Sequence, residues 1–108
     1  MATSVKNARS APSATTLTTI YTVPAATSAV ISSIVVCNRS ATATSFRIAL
    51  LPLGAGIANS HYLYYDVTIA GNDTFVTTIG VTLIATDVLQ VYNTLATLSF
   101  NVFLQETT

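Results

Sequence analysis

The chain has 108 residues, 51% of them hydrophobic and only 7% charged, and its four basic residues balance four acidic ones. That length suits one hydrophobic core and is too short for two, while the charge content, far below the about 25% of ordinary soluble domains, leaves no dense basic stripe to neutralise phosphates and so excludes a nucleic-acid binder. A zero net charge also removes the repulsion that keeps small proteins apart, so a homo-oligomer is expected.

Residues 1–14 mix Ala, Ser, Thr and Asn with Lys6, Arg9 and Pro12 and show neither helical nor strand periodicity, which predicts an extended N-terminal arm ahead of a domain over 15–108. Its first residues, Met1 to Lys6, lack the apolar segment of a secretory signal, so export is not expected. From Leu17 onward the pattern is period-two alternation in segments rich in Thr, Val, Ile, Tyr and Phe. Leu17, Thr19, Tyr21 and Val23 share one face of a first strand, which Pro24 ends.

A second strand over Ala29 to Asn38 is apolar on both faces, with Val30, Ile34 and Val36 on one and Ile31, Val35 and Cys37 on the other. This suits a central strand, or one covered outside by another subunit, with Ser32 and Ser33 as polar exceptions. The same stretch is roughly half the ~20 residues of a membrane-spanning helix, so no such span is expected.

A third strand over Thr44 to Leu51 directs Phe46, Ile48 and Leu50 inward and Ser45 and Arg47 outward, before a loop from Pro52 to near Asn59. His61 to Val67 makes a fourth, and Ala70 to Asp73 a tight turn in which Gly71 and Asn72 suit positive φ. Phe75, Thr77 and Ile79 mark a fifth, Asp87 to Tyr92 a sixth, and Thr97 to Gln105 the last, with Phe103 alone breaking its polar face. Short strands at roughly ten-residue spacing without an amphipathic helix predict an all-β antiparallel sandwich, jelly-roll or immunoglobulin-like.

The run from Thr19 through Tyr21-Thr-Val-Pro24 to Val36-Cys-Asn38, with Phe46-Arg-Ile-Ala49 and the Ala70 to Thr74 turn, resembles small β-rich virion proteins of tailed bacteriophages over about 15–105. The resemblance implies a virion component made in the host cytoplasm: a capsid decoration or cement protein, or a tail, collar or fibre subunit. It further implies a trimer on a local symmetry axis, a major capsid protein or other virion protein as partner, and an N-terminal arm reaching a neighbour. Lys6 and Arg9 in the arm, with Ile31, Val35 and Phe103 on strand faces, are then the expected assembly contacts.

Catalytic chemistry is not expected. His61 is the only histidine and Cys37 the only cysteine, too few ligands for zinc and too few thiols for an intrachain disulfide, so no metal, cofactor or covalent staple is foreseen. Ser60, His61 and Asp66 are sequence neighbours without a nucleophile-elbow motif, and Gly54-Ala-Gly56 lacks the lysine of a phosphate loop. Asp73 and Asp87 are assigned turn roles. Tyr62, Tyr64 and Tyr65 define an alternative, a platform for a host glycan. All four basic residues precede all four acids, which suggests complementary edges meeting between subunits.

Overall fold

The computed structural model describes residues 2–108. Among these residues nine strands form: β1 (Thr3–Ser10), β2 (Thr18–Thr22), β3 (Ser28–Asn38), β4 (Thr44–Leu51), β5 (Tyr62–Ile69), β6 (Thr74–Thr77), β7 (Val81–Leu83), β8 (Val88–Asn93) and β9 (Leu98–Thr107). They build two antiparallel sheets packed as a sandwich, the expected all-β architecture. Sheet A has the order β1-β9-β3-β6, with β7 also on β3, and sheet B the order β2-β8-β4-β5. Only the β4–β5 and β6–β7 connections stay within a sheet, and every other one crosses between them.

Two strands lie where none is expected. Thr3–Ser10 pairs antiparallel with β9 from Thr3↔Thr107 to Ser10↔Phe100, so most of the segment assigned to an arm is an edge strand of sheet A. It carries no alternation because none of its side chains is buried, which removes the pattern that reveals a strand. Met1, also assigned to the arm, lies outside the described residues. Val81–Leu83 is three residues long, too short for periodicity to register, and pairs with Ala29 to Ile31.

The centre of the sandwich is aromatic. Phe46 of β4 meets Phe75 at 5.1 Å and Phe100 at 6.1 Å between ring centroids, the latter edge-on, and Tyr64 at 6.5 Å. Ile31, Ile34, Ile48, Leu83, Leu89, Val91, Leu98 and Val102 close around them, all buried. Each such side chain contributes roughly 1.5–3 kcal/mol of burial. The accessible surface, 5440 Å², is close to the about 5,700 Å² expected of a folded monomer of this 11.3 kDa mass, so one chain completes its own core.

Buried polar side chains lie near strand ends. The Asn93 amide donates to the Pro12 and Ser13 carbonyls (3.3 and 3.2 Å) and its main-chain carbonyl accepts from Thr15 N–H, fixing the β1–β2 crossover. Asn38 likewise donates to the Thr42 and Ala70 carbonyls. Asp87 accepts from the Leu53 and Ile84 amides (2.9 and 3.0 Å), and Asp73 from Thr74 N–H, so both acids take turn roles.

The turn after β5 departs from expectation in detail. Asn72 adopts φ 56°, whereas Gly71 is required by contact: a Cβ there would lie 2.0 Å from the Ala41 carbonyl oxygen and 2.3 Å from its carbon. Gly71→Ala is therefore expected to destabilise by about 3 kcal/mol and Gly56→Ala, with open space around it, by less than about 0.5 kcal/mol. Urea unfolding of both variants checks this; equal losses would place the constraint elsewhere.

Candidate interaction surfaces

The outer face of sheet A follows from alternation and one irregularity. Strand β3 pairs in register with β9 up to Ile31↔Leu104 and resumes at Ser33↔Phe103, leaving Ser32 as an extra, bulged residue. Its hydroxyl donates to the Phe103 carbonyl at 3.0 Å, so the disrupted ladder keeps a partner. The bulge reverses parity: Ala29 and Ile31 point inward before it, and Ile34, Val36 and Asn38 after it. Val30 and Val35 are consequently both on the outside.

Three rows of residues cross this face in register. Val5, Gln105, Val30 and Thr82 form one, Asn7, Phe103 and Ser33 the next, and Arg9, Asn101, Val35 and Val76 the third. Val5 is 83% exposed, Val76 57% and Phe103 41%. Arg9, hydrogen-bonded to Asn7 at 3.0 Å, is the one formal charge in these rows.

Of the five residues expected as assembly contacts, Arg9, Val35 and Phe103 share this surface. Ile31 does not: it is fully buried in the core, because the Ser32 bulge places Val30 outside instead. Lys6 also turns away, sitting opposite Leu104 on the inward side of β1, where its ammonium pairs with Glu106 at 3.1 Å. Val5, Val30 and Val76 complete the face and were missed. Val5 lies in the segment that reads as an arm, and a count of two puts Val30 on the side opposite Val35.

A second cluster occupies the outer face of sheet B. Phe46 pairs with Val67 and Ile48 with Tyr64, so Tyr65 and Asp66 together stand opposite Arg47, a bulge with Asp66 at φ 51°. Arg47 is clasped by both oxygens of Asp66 (2.6 and 3.3 Å) and lies between the rings of Tyr65 and Tyr92, 4.2 and 4.4 Å from their centroids. Tyr62 meets Tyr65 edge-on at 4.9 Å, and with Asn59 these two rings line a shallow depression of about 450 Å³.

The expected tyrosine trio is thus divided. Tyr64 faces inward against Phe75 and shares a 2.7 Å hydrogen bond with Thr77, and its place outside is taken by Tyr92, which cross-strand pairing with Arg47 supplies. His61 accepts the Ala58 amide proton through Nδ1 at 3.1 Å and so closes the turn before β5. Cys37 is a free, half-buried thiol on the outer side of β3.

The third polar cluster joins the two sheets. Glu106, only 5% exposed at the inward side of β9, accepts a hydrogen bond from the Tyr21 hydroxyl of β2 and pairs with Lys6 of β1. The Tyr21 bond, and then Lys6, hold the Glu106 carboxyl below its usual range against the opposing effect of burial, while burial and the adjacent carboxylate push the Tyr21 hydroxyl up. Lys6–Glu106 and Arg47–Asp66 both lie within one chain. For these four residues the basic-before-acidic order sets up pairs inside the molecule.

No group of three or more His, Cys, Asp or Glu side chains is placed to hold a metal among the described residues. Nor is any helix long and apolar enough to cross a membrane. No protein-family model matches the chain, and a search of curated proteins finds no similar sequence.

Glu106 carries a pH signature of definite sign. A carboxyl whose folded pKa is depressed stabilises the fold above its unfolded pKa, about 4.3, and that contribution fades as pH falls through the lower folded value. Wild type is expected to exceed Glu106→Gln in stability at pH 7, with the gap closing below about pH 4. Urea unfolding of both from pH 7 to pH 2 tests it; a gap independent of pH would assign Glu106 a packing role alone.

Proposed function

We propose that this domain is a non-enzymatic assembly module, a structural protein of a virion, and most specifically a capsid decoration protein that bridges shell subunits. The observation that carries the reading is the outer face of sheet A, where Val5, Val30, Val35, Val76 and Phe103 sit among uncharged polar residues with Arg9 as the one formal charge. A face of this kind is suited to burial against another protein surface, and binding only to the assembled shell stabilises that shell by mass action.

Strand order supports the same reading by analogy of fold. Taking β6 and β7 as one interrupted strand gives two four-stranded sheets, β1-β9-β3-β6 and β2-β8-β4-β5. This arrangement fits the jelly-roll alternative, an architecture used in viral capsid and lectin domains. Analogy of fold gives no partner, so the surface carries the argument.

The expected state is a trimer, read by light scattering as three chains of 11.3 kDa. Phe103→Asp is expected to reduce that mass and the occupancy on empty capsids while leaving the unfolding midpoint nearly unchanged, since the side chain is half-exposed. Wild-type mass and full occupancy in this variant would remove sheet A from the interface. Copy number per particle separates shell from tail: hundreds indicate decoration, a dozen or fewer a tail, collar or fibre position.

A second reading, a host-glycan-binding module, is favoured by the outward rings of Tyr62 and Tyr65 beside the Arg47–Asp66 clasp. Exposed tyrosine faces accept the apolar side of a sugar ring while fixed polar groups at their rim orient its hydroxyls. A glycan-array signal lost on Tyr65→Ala but kept in Phe103→Asp supports this reading; silence across the array leaves assembly as the function.

A further inference from the structure

Strand β1 is held in the sandwich almost entirely by its backbone. None of its eight residues is buried: Val5, Asn7 and Arg9 face outward, and the inward positions are Ser4, Lys6, Ala8 and Ser10, all small or charged. Withdrawing it from the sheet gives up no fully buried side chain of its own. What it makes is the ladder to β9, prolonged by reciprocal hydrogen bonds between Ala2 and Thr108, and the Lys6–Glu106 ion pair.

The chain is gripped again immediately after this strand. Pro12 is buried and its carbonyl accepts from the fully buried Asn93, which also holds Ser13 and Thr15. Between the strand and that anchor lies a single exposed residue, Ala11. The geometry is that of a detachable strand tethered at a fixed post, with the rotation falling mainly on Ser10, since Pro12 fixes its own φ and holds its predecessor Ala11 extended.

We propose that β1 is an exchangeable strand, which leaves β9 of its own chain and adds to the same edge of β9 in a second copy. The vacated edge specifies such an occupant. Inward-facing Glu106 calls for a cation at the position of Lys6, and Leu104, Val102 and Phe100 call for a strand whose other inward residues are small. Another copy of β1 meets both demands, re-forming in trans every contact given up in cis, which makes strand exchange a low-cost route to association. With all eight residues re-paired in trans, Ala11 alone spans from the Pro12 anchor to the neighbour, so exchange requires the two sandwiches to meet at their β1–β9 edges. The inference rests on the assembly reading and supplies its linkage.

The test uses full-length chains carrying Cys37→Ser. Asn7 and Phe103 stand opposite each other in the β1–β9 register, and both are exposed. Asn7→Cys is made in one preparation and Phe103→Cys in another; the two are refolded together or apart and oxidised with diamide, and light scattering on the unoxidised samples gives the oligomeric state. Exchange predicts a covalent dimer, doubling the 11.3 kDa band, in the mixture and little in either variant alone. Val5→Cys with Gln105→Cys, also opposed in register, repeats the test if the first pair folds poorly.

Covalent dimers formed as readily by Phe103→Cys alone would overturn the proposal, because they require the sheet A faces to meet directly. An oligomer without any covalent product rejects exchange and leaves the assembly reading standing. A monomer without covalent product rejects exchange and the solution trimer together.

Discussion

Strand β3 carries one residue more than β9 can match, and the placement of Ser32 in that surplus position organises sheet A on both of its sides. Up to Ile31 the strand pairs outward with β7, and from Ile34 with β6, so the second ladder divides at the bulge. Ile31 and Ile34, three positions apart, both reach the core. An unbroken strand of period two would send one of them to solvent. The Ser32 hydroxyl lowers the cost of the irregularity by occupying the Phe103 carbonyl, a group that otherwise loses its partner where the register slips. The same shift brings Val30 and Val35 together outside, so the inner packing and the outer surface have one cause.

A similar device shapes sheet B. The bulge at Tyr65 and Asp66 lets Tyr64 and Val67 both pack inward, and it presents an aromatic ring and a carboxylate to Arg47 on the other side. Aspartate tolerates the left-handed backbone required there better than most residues. At the ends of the sandwich the chain relies on amides and a buried carboxylate: Asn93 and Asn38 each hold three backbone groups, and Asp87 holds two, one before β5 and one before β8. The neutral amide bonds contribute about 1 kcal/mol each and those to the Asp87 carboxylate roughly 1.5–3 kcal/mol, while leaving a buried partner unpaired costs up to about 3 kcal/mol, so together they fix where the loops lie.

Much of this architecture was legible because half-buried strands announce themselves by alternation. β4 and β9 fall where Phe46-Arg-Ile48 and Leu98 to Leu104 place them, and Asp73 and Asp87 act at turns as their positions suggest. The failures are parity errors and missing contrast. A count of two sends Ile31 to the outer face with Val35 because a bulge is invisible to it, although the mid-strand pair Ser32-Ser33 is its trace in the sequence. Tyr62 parts from Tyr64 and joins Tyr65 outside because a further register shift, from Ile48↔Tyr64 to Ala49↔Tyr62, leaves Leu63 as an extra residue, which a count of two does not show. β1 gave no signal, since a strand with no buried side chain has the composition of a tail. Tyr92 belongs to the Arg47 cluster through a pairing 45 positions away in the chain, which no local pattern encodes.

The distribution of charge explains how so neutral a chain has two unlike faces. Lys6 and Glu106 are spent tying β1 and β9 to Tyr21, Arg47 and Asp66 on holding the tyrosines of sheet B, and Asp87 on a buried loop. Those uses consume five of the eight ionisable acids and bases counted in the sequence. The rows across sheet A are left with Arg9 as their one formal charge, and thus without the charged side chains that normally keep a flat β face from adhering to other proteins. The edge beside that face is treated differently. The inward-pointing Lys6 of β1 is a charge that a foreign strand edge would have to neutralise, and Glu106 of this same sequence neutralises it. On the proposed reading the low-charge face is permissive about what covers it whereas the edge discriminates, so adhesion would come from the one and selection for a second copy from the other.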